Sequence, residues 1–168
     1  MANINLYAPE YYLLHKNETL NNGGANTYED NLFTITGIIQ INSIYGYVIT
    51  AISANVTVAY LDLFPTAGAA IEITDNGGTA ISSIKVDSLL IKQAIATTAI
   101  GVYDSNLGYV AEVSTNFNKS FKPFIVAKKD GAVTNIRFVY TTNGGATGRI
   151  HWHLEWKPLS DDGSAVNA

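Results

Sequence analysis

The sequence predicts an all-β protein, a sandwich or a barrel, and three observations carry that expectation. Period-2 alternation of apolar and polar residues recurs along most of the 168-residue chain. Strand and turn formers are dense, with 16 Asn, 16 Thr, 14 Gly and 10 Tyr. Helix signals are confined to one short stretch.

In chain order, residues 1–31 read as an N-terminal arm, with Tyr11, Tyr12, Leu13 and Leu14 as apolar anchors for a partner and Asn21-Asn22-Gly23-Gly24-Ala25-Asn26 as a flexible link. The alternative is that this arm supplies the first strand of the body. Such an arm could span up to ~100 Å if extended. Residues 32–159 read as a compact β-sandwich body. Leu32–Ile41 places Phe33, Ile35, Ile39 and Ile41 on one face, and Val56–Leu63 alternates in the same way. Ala70–Thr74, Gly108–Val113, Pro123–Ala127, Val133–Thr141 and Gly148–Lys157 continue the pattern, with Tyr45–Ile52 and Ile81–Val86 as weaker strands. Ser88–Ala96 fits two turns of helix or an apolar strand. Residues 160–168 read as a loose C-terminal tail.

Asn-Gly-Gly occurs three times, at Asn22, Asn76 and Asn143, and each copy suits a tight reversal because both residue types tolerate positive φ. The last copy is expected to close a hairpin. On its first strand Ile136, Phe138 and Tyr140 point one way, and Asn135 and Arg137 the other. On its second strand Ile150, Trp152, Leu154 and Trp156 form an apolar ridge that should anchor the core, with Phe138 opposite. Pro158 ends that strand.

The other face of the last strand carries Arg149, His151, His153, Glu155 and Lys157. His151, His153 and Glu155 are the residue types that hold zinc or a similar divalent ion, which would suit a metal-assisted hydrolase. The bland alternative is a solvated or subunit-facing row, since same-face neighbours on a strand stand ~7 Å apart. Tyr7, Tyr11, Tyr12, Tyr28, Tyr45, Tyr47, Tyr103 and Tyr109 could stack on sugars, the mark of a glycan-binding β-sandwich module of a tail fibre or lectin-like protein.

Several classes are disfavoured. Ten basic against 14 acidic residues, with no basic run, argues against nucleic acid. With no Cys there is no disulfide framework, thiolate zinc site or thiol nucleophile. No 18-residue apolar run marks a membrane span, and the first residues do not read as a secretory signal. No nucleophile elbow or calcium loop is present, so no catalytic residue and no cofactor are expected. Charged residues are only 14% of the chain, against roughly 25% in an ordinary soluble domain, which suits surface covered in an assembly.

The stretch from Thr147 to Gly163 (TGRIHWHLEWKPLSDDG) resembles the C-terminal end of many small tailed-bacteriophage structural proteins. In those, a Gly precedes an alternating strand that ends in aromatic-x-Pro-Leu and a short Asp/Gly tail. Leu32-Phe33-Thr34-Ile35-Thr36-Gly37 and the short strands around Asn76-Gly77-Gly78 match the same layout, so the resemblance spans about residues 30–163. It implies a virion protein, a capsid decoration (cement) protein with a jelly-roll-like β-sandwich. Such a protein sits as a homotrimer on the outer capsid surface and bridges subunits of the major capsid protein. It supplies no catalytic residues.

Overall fold

The computed structural model describes residues 11–66, 68–93, 95–103, 123–128 and 132–168. Its strands are β1 (Tyr12–Asn22), β2 (Ala25–Thr36), β3 (Ile38–Thr50), β4 (Val56–Pro65), β5 (Ile71–Glu72), β6 (Leu89–Ile91), β7 (Gly101–Tyr103), β8 (Phe124–Ala127), β9 (Thr134–Asn143), β10 (Ala146–Pro158) and β11 (Ser164–Asn167). One antiparallel sheet runs β1-β10-β3-β6-β7, with β8 also on β3; the other runs β11-β2-β9-β4-β5. Pairing therefore joins β1 to β10, β2 to β9, β3 to β6 and β4 to β5, and then β10 to β3 and β9 to β4. That is one long antiparallel hairpin rolled into two sheets, a jelly-roll β-sandwich.

The rolled topology corrects the local reading in several places. Leu32–Ile41 is not one strand: Gly37, at φ +56°, turns the chain from β2 in one sheet to β3 in the other. A side chain there would collide with Gly163 N and Ser160 Oγ at 2.6 Å. Phe33, Ile35, Ile39 and Ile41 all still reach the core, because the inner faces of the two sheets look at each other. Likewise β9 and β10 are not a hairpin. They lie in opposite sheets, and Asn143-Gly144-Gly145-Ala146 carries the chain across. Side by side in one sheet, their apolar faces would still need a cover. Face to face they cover each other, and the Phe138 and Trp152 rings sit 5.1 Å apart. The first Asn-Gly-Gly likewise links β1 to β2 across the sheets, whereas the second closes a tight turn, Gly78 N donating to Asp75 O at 2.9 Å.

Parts of both the predicted arm and the predicted tail join the body. β1 pairs with β10 along its whole length, so the strand alternative holds for residues 12–22 of the arm, and β2 already begins at Ala25. Residues 164–167 of the tail form β11 on the edge of β2, and Gly163 N and the Ser160 hydroxyl tie the preceding turn together. Ser88–Ala96 contains the strand β6 and no helix among its described residues, Ala70–Thr74 is reduced to the two-residue β5, and Ile81–Val86 makes turns. Gly108–Val113 lies outside the described residues.

The predicted anchors Phe138, Ile150, Trp152 and Leu154 are fully buried, and Trp156 nearly so. Trp152 faces Gly46 on β3, where an added Cβ would meet Ile150 Cγ2 at 2.7 Å and the indole at 3.1 Å. The glycine makes room for the largest side chain of the core.

Sequence alternation puts Arg137 on the solvent side of β9, yet it is 5% exposed. Its Nε and Nη2 donate to the two carboxylate oxygens of Asp62, its cross-strand partner on β4, at 2.8 and 2.6 Å. Its guanidinium also lies 3.9 Å from the Phe64 ring centroid, and Glu29 makes a second ion pair. A buried cation is tolerated here because a bidentate fork and an aromatic face replace its water.

Two outcomes are expected in urea unfolding. Trp152→Ala loses about 3–5 kcal/mol, the usual cost of emptying a buried aromatic site. Asp62→Ala loses about 3 kcal/mol by stranding the buried guanidinium, whereas Asp62→Leu combined with Arg137→Met recovers most of that loss. Equal losses in the single and double variants would contradict this account of the pair.

Candidate functional site

Because Ile150, Trp152, Leu154 and Trp156 point into the core, pleating turns Arg149, His151, His153, Glu155 and Lys157 outward. β10 lies between β1 and β3, so its outward residues gain neighbours on both sides. Register makes two cross-strand rows on the outer face: His15, His153, Tyr45 and Ile91 in one, and Asn17, His151, Tyr47 and Leu89 in the other.

The two adjacent rows bring three imidazoles together, His15 and His153 from the first and His151 from the second. His15 Nδ1 and His153 Nδ1 are 2.7 Å apart, one donating and the other accepting. His15 stacks on His151 at 5.5 Å between ring centroids and meets His153 edge-on at 4.5 Å. Each of the three rings offers one nitrogen, and these nitrogens all lie within 4.8 Å of one another. Tyr45 lies flat on His153 from the β3 side, 4.6 Å away and inclined by 7°. Asn17 Oδ1 sits 2.6 Å from His151 Nδ1. The Tyr47 hydroxyl donates to Asp87.

The predicted trio of His151, His153 and Glu155 is thus corrected in one member. Glu155 shares the outward face but accepts from Asn42 Nδ2 and Ser43 Oγ of β3, each at 3.4 Å. His15 takes its place from across the strand pair. Three successive same-face residues on one strand do not converge, while two on one strand and one on its neighbour do. His15 was hard to find from sequence because Lys16 and Glu18 interrupt the apolar alternation that would have marked β1.

Burial pushes the His153 pKa down to about 4, with the neighbouring His151 and His15 adding to the shift. Burial also lowers His151, helped by His15 and Arg149. Both rings are therefore neutral at pH 7 and able to present a lone pair.

The four predicted partner-contact residues divide. Tyr11 and Leu13 are exposed, with Tyr11 beneath the Lys157 ammonium. Tyr12 is as exposed as Tyr11 but lays its ring on Trp156 at 4.9 Å, and Leu14 packs against the core. Of the Tyr residues proposed as a sugar platform, Tyr12, Tyr28 and Tyr45 each give a ring face to Trp156, Tyr140 and His153 respectively. Tyr7 and Tyr109 lie outside the described residues.

Two further features carry ionisable groups. Lys16 and Glu18 of β1 face Asp30 of β2 between the sheets. Burial raises both carboxyl pKa values; Asp30 raises Glu18 further, while Lys16 opposes both shifts. A cavity of about 350 Å³ lies between β5 and β8, walled mainly by Leu63, Ile71, Ile73, Phe124 and Ile125, with Lys92 at its side.

The chain matches no protein-family model, no curated protein and no solved structure.

Proton linkage gives a test of the imidazole cluster. A histidine whose folded pKa lies below its unfolded value of about 6.5 adds stability that is complete above pH 6.5 and fades as pH falls toward 4. The raised carboxyls Glu18 and Asp30 act in the opposite sense, so the comparison is made against a variant. The wild type is expected to lose more stability than His153→Gln between pH 6.5 and 4. The His153 ring signal in an NMR titration should turn over near pH 4. A turnover near 6.5 would show the ring to be ordinarily solvated.

Proposed function

We propose that this chain is a non-enzymatic structural protein of a virion, a capsid decoration protein. In this reading it works as a homotrimer on the outer capsid surface and bridges subunits of the major capsid protein. The observation that carries the reading is the edge strand β1. It holds β10 in register over eleven residues without a bulge or a proline, and no strand pairs with its other side among the described residues. The His15 carbonyl is taken by Asn167 Nδ2, and Lys16 reaches the carbonyls of Asn31 and Ala168. These contacts fix the strand in place and use the His15 carbonyl, and in this reading the rest of the rim is the template for main-chain pairing with another chain.

Next to that rim stand the exposed Tyr11 and Leu13, the latter at 65%. An apolar side chain beside an open edge is a hazard for a free monomer and an asset for an assembly subunit. Jelly rolls recur in viral capsid and lectin domains, which agrees with the resemblance of the C-terminal strand to phage structural proteins. A clamp of this kind needs no chemistry. Its hold comes from buried apolar anchors and from several sites engaged at once. The lectin reading is the weaker one, because three of the candidate Tyr rings already stack on neighbours.

Analytical ultracentrifugation of the purified chain should give three times the monomer mass, and the chain should cosediment with capsid shells of its source phage. Leu13→Asp, at an exposed position, should weaken shell binding about tenfold while leaving the circular dichroism unchanged. Absence of the chain from purified virions would reject the proposal.

A further inference from the structure

We propose that His15, His151 and His153 form a binding site for a divalent transition-metal ion of the zinc class, with a fourth coordination position open to solvent. The inference rests on this side-chain cluster alone and stands apart from the role in a capsid.

Three features of the cluster point to a metal. The first is its nitrogen set. Ligands at Zn–N distances of 2.0–2.1 Å in a tetrahedron stand roughly 3.3 Å from one another. One nitrogen from each of the three rings lies within 4.8 Å of the others, and the His15 and His153 rings already approach to 2.7 Å between their Nδ1 atoms, so the set is compact enough to close on that spacing. Small rotations of exposed or half-buried rings bring all three to bonding distance, and the backbone need not move because both strands are already in register.

The second is the partner of His151. Asn17 Oδ1 can only accept, so His151 Nδ1 carries the proton and donates to it. That hydrogen bond fixes the tautomer and leaves Nε2 with the lone pair. An outer-shell acceptor on the non-ligating nitrogen is the usual support of a metal-binding histidine. On the other side, the flat contact with Tyr45 holds the His153 ring in orientation.

The third is charge. Glu155 is engaged by Asn42 and Ser43, so the ligand set is three imidazoles with no carboxylate among them. Such a set suits zinc, cobalt, nickel or copper, and it is a poor host for magnesium or calcium, which take oxygen ligands. Three protein ligands on an outward sheet face leave the ion one position for water or for a donor from another molecule. The ion would also bridge β1 to β10, adding a cross-link to a strand that pairs with one neighbour among the described residues.

The test uses the full-length chain without a polyhistidine tag at pH 7.5. Isothermal titration with Zn²⁺ should show one ion bound per chain, and Mg²⁺ should show none. The thermal midpoint should climb with Zn²⁺ concentration, as it does for a ligand that binds the folded state. Amides of β1 should exchange more slowly in Zn²⁺ than in Mg²⁺. His15→Gln and His151→Gln should each weaken Zn²⁺ binding by tenfold or more. Asn17→Ala, which spares every ligand, should weaken it about tenfold through the lost second-sphere hydrogen bond. Failure of the wild type to bind Zn²⁺, or undiminished affinity in both folded His variants, would overturn the proposal.

Discussion

Trp152 and Phe138 meet at the centre of the sandwich from strands that follow one another in sequence but belong to different sheets. The ridge of Ile150, Trp152, Leu154 and Trp156 must be covered, and the face of β9 that covers it arrives from across the two-residue link Gly144-Gly145. Once that closure is made, the parity of β10 is fixed. A slip of one residue would send two indoles into water and two imidazoles into the core. Gly46 belongs to the same constraint, since any side chain there would strike Ile150 and the Trp152 ring. The outward display of His151 and His153 is thus a consequence of how the core closes. No local preference of the histidines is needed to explain it.

The parts legible in the sequence are those set by alternation along one strand. The inward set on β10 and the outward set opposite it could be read directly, as could the core positions Phe33, Ile35, Ile39 and Ile41. Which sheet each strand joins was not legible, because a Gly that permits a tight reversal permits a crossover equally well. Gly37 shows the ambiguity most clearly. The alternation continues through it unbroken, yet the chain changes sheets there, since the inner faces of both sheets are apolar. β11 was hidden for another reason. Ser164–Asn167 has no apolar period of its own and is held by pairing to β2, a contact some 130 residues away in sequence. The site suffered from the same nonlocality. His15 meets His153 only because β1 and β10, the first and tenth strands, are neighbours in a jelly roll.

The outer faces of the two sheets treat their polar residues differently. On the β9 side, Arg137 is covered by Phe64 and paired with Asp62 and Glu29, so its charge is already matched within the fold. A charged residue at an alternating position reads as solvated by default, and only a partner 75 residues earlier makes it a buried one. On the β10 side the polar row is left incomplete. The imidazoles stack and share a hydrogen bond, but His151, whose Nδ1 donates to Asn17, keeps a lone pair on Nε2 that no donor claims among the described residues. Completed polar pairs stabilise a fold, while incomplete ones at a surface are where a ligand finds its place.

The open edge and the imidazole cluster share one strand, and that links them energetically. Among the described residues β1 pairs with β10 alone, so its amides open more easily than those of β3 or β9, which are flanked by strands on both sides. A partner that adds a strand to β1 must bear the cost of ordering it. Anything that draws His15 onto His151 and His153 orders the same residues first, and so lowers that cost for the partner. The reverse also holds, because a strand laid against β1 would fix His15 over β10 and hold the three nitrogens together. Ligand binding at the cluster and main-chain pairing at the rim would therefore reinforce each other without any change of fold.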